Sequence, residues 1–171
     1  MAHTHQFCTF YLAHICFGLD VKKVQEVIRY QSITRVPLAP PAVRGLINLR
    51  GQIVPAIDLR QCLDISESDS TYQKSSMAGS NSATSNLFNY FFPSLEQLPL
   101  NAIVQADDEV ISLLVDEVGE VLEISDCAFE PPPETLKGKA RELIKGAYKL
   151  NDLLLLILDT EKVFEVSKIS D

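Results

Sequence analysis

No stretch of this sequence is apolar for long enough to cross a bilayer. The longest run, Leu153 to Leu158, falls far short of the ~20 residues that a spanning helix needs. The opening MAHTHQFC has no basic patch followed by an apolar stretch, so no targeting signal is expected and the chain is expected in the cytoplasm. Positive charge is scarce: 15 Lys and Arg face 23 Asp and Glu, for a net charge of −8. This deficit argues against nucleic acid, whose phosphates need a basic face, and against insertion into or attachment to anionic lipid. A well-solvated surface accounts for the excess of acid. The four cysteines, Cys8, Cys16, Cys62 and Cys127, show no C-x-x-C spacing. No zinc site is expected, only reduced and mostly buried thiols. Cys8 and Cys16 facing each other across a first hairpin is the one pairing left open.

Catalytic groups are equally scarce. His3 and His5 form an H-x-H pair in what reads as a solvated N-terminal tail, and His14 falls in a hairpin turn. No serine sits in a G-x-S-x-G elbow, and no glycine-rich phosphate loop follows a strand. Asp107-Asp108 and Asp116-Glu117 are adjacent carboxylates, but neighbours on a strand point to opposite faces. The first pair reads as turn chemistry and the second as a solvated edge. An enzyme would need a bound cofactor or a cleft of perturbed carboxylates. The expectation is no catalytic residue, no cofactor and no metal.

What the chain does have is many short strand-like segments. Phe7, Thr9 and Tyr11 fall on one side of a strand and Cys8, Phe10 and Leu12 on the other. Both sides are largely apolar, which predicts cover on both faces. The connection to the next strand is expected over Ala13 to Cys16. Asp20 is placed to cap a helix whose apolar stripe is Val21, Val24, Val27 and Ile28. Ala42 to Leu59, AVRGLINLRGQIVPAIDL, reads as a helical turn introduced by Pro40-Pro41 and ended by Gly45. A strand from Leu46 to Arg50 follows, then a reversal at Gly51-Gln52 and a second strand. Asp58 caps a short turn after it. Arg50, between two apolar runs, reads as a half-buried arginine that needs a partner from elsewhere.

Ser66 to Asn86 is rich in Ser, Asn and Thr and poor in large apolar residues, so it reads as a flexible insertion. It ends in LFNYFF, where Phe88, Tyr90, Phe91 and Phe92 suggest either a satellite cluster on the second lobe or a docking element. Beyond it, Asn101 to Gln105 and Val110 to Val115 read as strands about an Asp107-Asp108 turn. Asp116 to Ile124 continues, with Gly119 breaking the run, and Pro131 to Pro133 form an extended connector. Leu143 to Leu150 and Leu153 to Leu158 form a last hairpin, and Asp159 caps a terminal helix.

These motifs, in this order, resemble the CheW family of bacterial chemosensory coupling proteins. The Ala42 to Leu59 segment, AVRGLINLRGQIVPAIDL, is similar to the family signature. QFCTFYL with FGLD, VKKVQEVI, SITRVP, LLVDEV with VL, and LLLLILDTEKVF resemble the family's other segments. The resemblance implies a mainly β fold with short helices: two five-stranded SH3-like barrels sharing a hydrophobic core. Lobe one is expected at about 6–65, the insertion at about 66–100, lobe two at about 101–158 and the terminal helix at about 159–166. All belong to a single domain over 1–171, with exchange of strands between lobes left open. The family crosses the insertion gap with far fewer residues.

By resemblance, the function is that of a non-catalytic adaptor. Its expected partners are the regulatory domain of a CheA-type histidine kinase and the cytoplasmic tip of chemoreceptors, with recruitment to membrane-associated arrays and room for weak self-association. An alternative is the same scaffold in a non-flagellar pathway such as type IV pilus control. Position by position, the resemblance makes Glu26 and Arg50 an internal ion pair near the binding surfaces. It associates Val24, Gly45 and Arg50 with coupling, and Arg44 is a weaker contact candidate.

Overall fold

The computed structural model describes residues 3–65, 98–125 and 128–168. The Ser/Asn-rich segment and the Phe88, Tyr90, Phe91 and Phe92 cluster fall within residues 66–97, outside the described residues, as does Cys127.

The chain opens with β1 (Thr4–Leu12) and β2 (Ile15–Asp20), antiparallel and closed by a tight turn at Ala13-His14. The connection is shorter than expected because Ile15 already pairs with Leu12. The two faces of β1 reach different clusters, as its apolar residues on both sides predict: Phe10 and Leu12 enter the main core, and Phe7 enters a second one. In this register Cys8 lies opposite Leu19 and Cys16 opposite Tyr11, so the two thiols do not face each other. Cys8, Cys16 and Cys62 are free.

The expected helix over Val21 to Ile28 is corrected to a single 3-10 turn, Val21–Lys23, followed by strand β3 (Val24–Ile28). Asp20 does cap the turn, accepting from the Lys22 N–H at 2.9 Å. The helix stops because β3 hydrogen-bonds to strand β6 (Leu100–Ala106), and a register shift between Val24 and Glu26 breaks the alternation. That irregularity gives the apolar residues their helix-like spacing.

β4 (Val43–Leu49) and β5 (Gln52–Asp58) form the next hairpin. Gly45 lies inside β4 at a register shift, not at a helix end. The reversal falls on Arg50-Gly51, one residue earlier than read from sequence. Both have positive φ, +52° and +91°, as a two-residue type I′ turn requires. Asn48 Oδ1 accepts from the Gly51 N–H at 2.7 Å. Asp58 then caps α1 (Leu59–Cys62), accepting from the Arg60 N–H at 3.0 Å.

After the 66–97 segment come β6 (Leu100–Ala106), β7 (Glu109–Val115), β8 (Glu117–Ser125) and the two-residue β9 (Phe129–Glu130). Gly119 does not break β8. A Cβ there would lie 2.3 Å from Thr9 Oγ1, so only glycine lets β1 approach. The buried Thr9 hydroxyl donates to the Glu120 carbonyl at 2.6 Å. Helix α2 (Gly138–Leu143), unanticipated from sequence, takes the Leu143 expected to begin the last hairpin. That hairpin is β10 (Ile144–Lys149) with β11 (Leu154–Leu158). Asp159 caps the final helix α3 (Thr160–Ser167).

The strands form a six-stranded sheet, β8-β1-β2-β11-β10-β9, and a five-stranded sheet, β3-β6-β7-β5-β4. The sheets mix segments from both halves of the chain, an exchange of strands that the sequence leaves open. The first sheet takes β1 and β2 from the start of the chain and β8 to β11 from its second half. Two parallel pairings, β2 with β11 and β5 with β7, join segments remote in sequence. The exchange has a packing reason. One core cluster draws Phe10, Leu12 and Phe17 from the first sheet and Ile57, Val104 and Leu113 from the second. Each sheet covers the other's apolar face, so the shared core expected of this architecture is present.

Candidate partner-binding surface

The residues singled out from sequence, Val24, Glu26, Arg44, Gly45 and Arg50, all belong to β3 or the β4–β5 hairpin of the five-stranded sheet. β3 and β4 are that sheet's two edges. In a flat sheet those edges would lie about 19 Å apart, four spacings of about 4.8 Å, beyond the reach of an Arg–Glu pair. Yet Arg50 Nη1 donates to Glu26 Oε1 at 2.8 Å and Nη2 to Oε2 at 2.7 Å. The sheet is rolled, and this fork-to-fork contact ties one edge to the turn beside the other. Thr34, in the connection between β3 and β4, adds a second tie by exchanging backbone hydrogen bonds with Leu46, both 2.8 Å.

The expectation that Arg50 is half-buried is corrected. Its side chain is 74% exposed and that of Glu26 is 27% exposed. The guanidinium projects from a turn whose left-handed backbone leaves it no core to enter. An exposed pair of this kind is worth about 0.2–1 kcal/mol, not the few kcal/mol of a buried one. Its effect is to orient a charged surface more than to hold the fold.

Val24 is half-buried against the main core. Gly45 has φ +149°, and a Cβ there would lie 2.2 Å from the Thr34 carbonyl oxygen and 2.7 Å from Ile33 Cγ2. The glycine lets the 29–42 connection lie directly on β4. Next to it, the exposed Arg44 places Nε 3.7 Å from Asp58 Oδ2. These five residues thus lie on the two edge strands of one sheet or on the turn beside one of them, some carrying the packing and others facing solvent.

One pair was missed from sequence. Asp116 was read as a solvated edge, but its carboxylate accepts from the Arg60 guanidinium and, at 2.8 Å, from the Ala13 N–H. Its own N–H donates to the Tyr11 carbonyl at 2.9 Å. Asp116 stands between β7 of one sheet and β8 of the other, and so is tied to both. The available signal was position: a carboxylate at the end of an apolar strand, and an arginine just after a capping Asp with no local partner.

Among the described residues no group of three or more His, Cys, Asp or Glu is placed to hold a metal, and no helix is long and apolar enough to cross a membrane. Burial pushes the Cys62 thiol up to about 12, so it is protonated and unreactive at neutral pH.

Comparison with known proteins agrees with this geometry. The family model described as CheW-like domain matches residues 6–168. The chain is 26% identical over 159 residues to the chemotaxis protein CheW of Treponema pallidum, covering 93% of this chain and 81% of that one. It is 27% identical over 158 residues to the chemotaxis protein CheW of Klebsiella aerogenes, covering 92% and 80%. Among solved structures, the scaffolding protein TtCheW of Thermoanaerobacter tengcongensis superposes with a TM-score of 0.71 at 27% identity, covering 96% of this chain and 90% of that one.

Proposed function

This chain belongs to the CheW-like domain family, and from that premise we propose that it is a non-catalytic chemotaxis scaffold coupling chemoreceptors to a CheA-type histidine kinase. The observation that carries the reading is the match over residues 6–168. The Glu26–Arg50 pair, Arg44 and the Gly45 contact lie along the edge strands of one sheet and their adjoining turn, and they present charge on a fixed backbone. Rim charges of this kind set partner choice and association rate more than total affinity. The kinase's regulatory domain and the receptor's cytoplasmic tip are the partners proposed. Recruitment to membrane-associated arrays then comes through those partners and not through lipid.

Calorimetric titration with the regulatory domain of a CheA kinase from the same cell tests this. Micromolar binding is expected. Glu26→Ala and Arg50→Ala should weaken it while leaving the thermal midpoint nearly unchanged, since the pair contributes little to stability. A chain lacking residues 66–86, run in parallel, shows whether that segment acts on binding. Absence of binding by both the full and the shortened chain, each folded, would remove the kinase from the proposal.

A further inference from the structure

We propose that this protein carries a small-molecule site for a planar aromatic carboxylate, at the open end of the second core cluster and apart from the Glu26–Arg50 surface. A cavity of about 410 Å³ opens there. That volume is in the range of ligand pockets and exceeds the voids of ordinary packing. Its apolar wall comes from separate strands: Phe7 of β1, Phe129 of β9, Tyr148 of β10, and Ile157 and Leu158 of β11. The rings form a continuous array, with Tyr148 5.5 Å from Phe7 and 5.1 Å from Phe129 by ring centroid. Phe129 is 47% exposed, an aromatic face left in solvent at the cavity wall. It is held there by Gly146, where a Cβ would come within 2.3 Å of its ring. A flat aromatic ligand stacks on such a wall and covers that face.

The polar lining sets the sign of the ligand. Lys23 and Lys145 both line the cavity, in a chain where acid outnumbers base. Both approach one carboxylate, Glu161. Lys23 pairs with it closely, whereas Lys145 Nζ stands 3.9 Å away and is 46% exposed. Lys145 is therefore held loosely and can turn to a ligand anion. Two ammonium groups beside aromatic faces disfavour a cationic guest. Asp20, the acidic residue of the lining, caps the 3-10 turn through the Lys22 N–H. The cavity also borders Lys23, in the turn that leads into β3, so an occupant sits beside the link between the two sheets.

The test is a two-dimensional NMR titration of the full chain with 2-naphthoate, and with 2-naphthylmethanol as the neutral comparator. Saturable shifts at His5, Lys145, Tyr148 and Ile157 are expected, with a dissociation constant below about 1 mM, the order a ligand of this size reaches. Lys145→Glu should weaken naphthoate about five- to tenfold and leave the alcohol unchanged. Phe129→Ala should weaken both. Both substitutions are at exposed positions and should keep the wild-type spectrum elsewhere. Non-saturating shifts, shifts indifferent to Phe129→Ala, or equal binding of alcohol and carboxylate would each overturn the proposal.

Discussion

Removing the Asp116 carboxylate should loosen the joint between the sheets by an amount the contacts allow us to work out. Asp116 accepts one backbone hydrogen bond, from Ala13, and one charged bond, from Arg60. A backbone bond contributes about 0.5–1.5 kcal/mol and a charge-assisted one about 1.5–3 kcal/mol. The side chains of Arg60 and Asp116 are 26% and 35% exposed, so solvent screens the charged bond and its lower end applies. Asp116→Ala is therefore expected to cost about 2–3 kcal/mol. Arg60→Ala should cost less, about 1–1.5 kcal/mol, because Ala13 keeps its acceptor. The double variant should fall short of the sum by about 1 kcal/mol, the coupling between the two side chains. Urea unfolding followed by circular dichroism measures all four states of the cycle. A coupling below about 0.3 kcal/mol would refute the clasp, since that is the scatter of independent sites. Asp116→Asn supplies a second check: it keeps an acceptor for Ala13, so its loss should match that of Arg60→Ala.

Other outcomes follow from single positions. Gly45→Ala should cost about 3 kcal/mol or abolish folding, read as a fall in thermal midpoint, because its Cβ meets a backbone carbonyl at 2.2 Å. Leu38 is 99% exposed with φ +62°, so Leu38→Gly should stabilise by about 0.5–1 kcal/mol by relieving a left-handed leucine; a lower thermal midpoint would argue against this. The Cys62 thiol is raised from 9.0 to about 12 by burial, with Asp58 adding to the effect. Its neutral form is favoured by folding, so the stabilisation is complete below pH 9 and is lost as pH climbs from about 9 to about 12. Cys62→Ala should flatten that part of the stability–pH curve, and native Cys62 should resist iodoacetamide at pH 8.

Local chemistry was largely legible from sequence. Asp20, Asp58 and Asp159 each cap the element that follows them, because a carboxylate finds its N–H partners within a few residues. The Asp107-Asp108 turn was legible too, and so was the last hairpin apart from Leu143, because both join strands adjacent in sequence. What failed was set by distant partners. Val21 to Ile28 has helical spacing only because a bulge against β6 interrupts its alternation, and β6 begins at Leu100. Gly45 resembles a helix stop until Thr34 is laid against it. Arg50 was paired with Glu26 by family resemblance, but its exposure followed from a positive φ that the run of apolar neighbours did not reveal. The parallel β2–β11 and β5–β7 pairings leave no mark on local composition, which is why the sequence leaves the exchange of strands between lobes open without specifying it.

Those pairings also fix the order in which the protein can be finished. All five strands of the β3–β7 sheet have been made once synthesis passes Val115, so it can assemble while the rest of the chain is still to come. The other sheet cannot. β2 has its place beside β11, and β11 ends at Leu158. Until then one side of the first hairpin has no neighbour, and an unpaired strand edge invites another chain. A nascent chain halted between β7 and β11 is thus half a finished protein holding an adhesive strand. The last strand to be made is the one that shelters it.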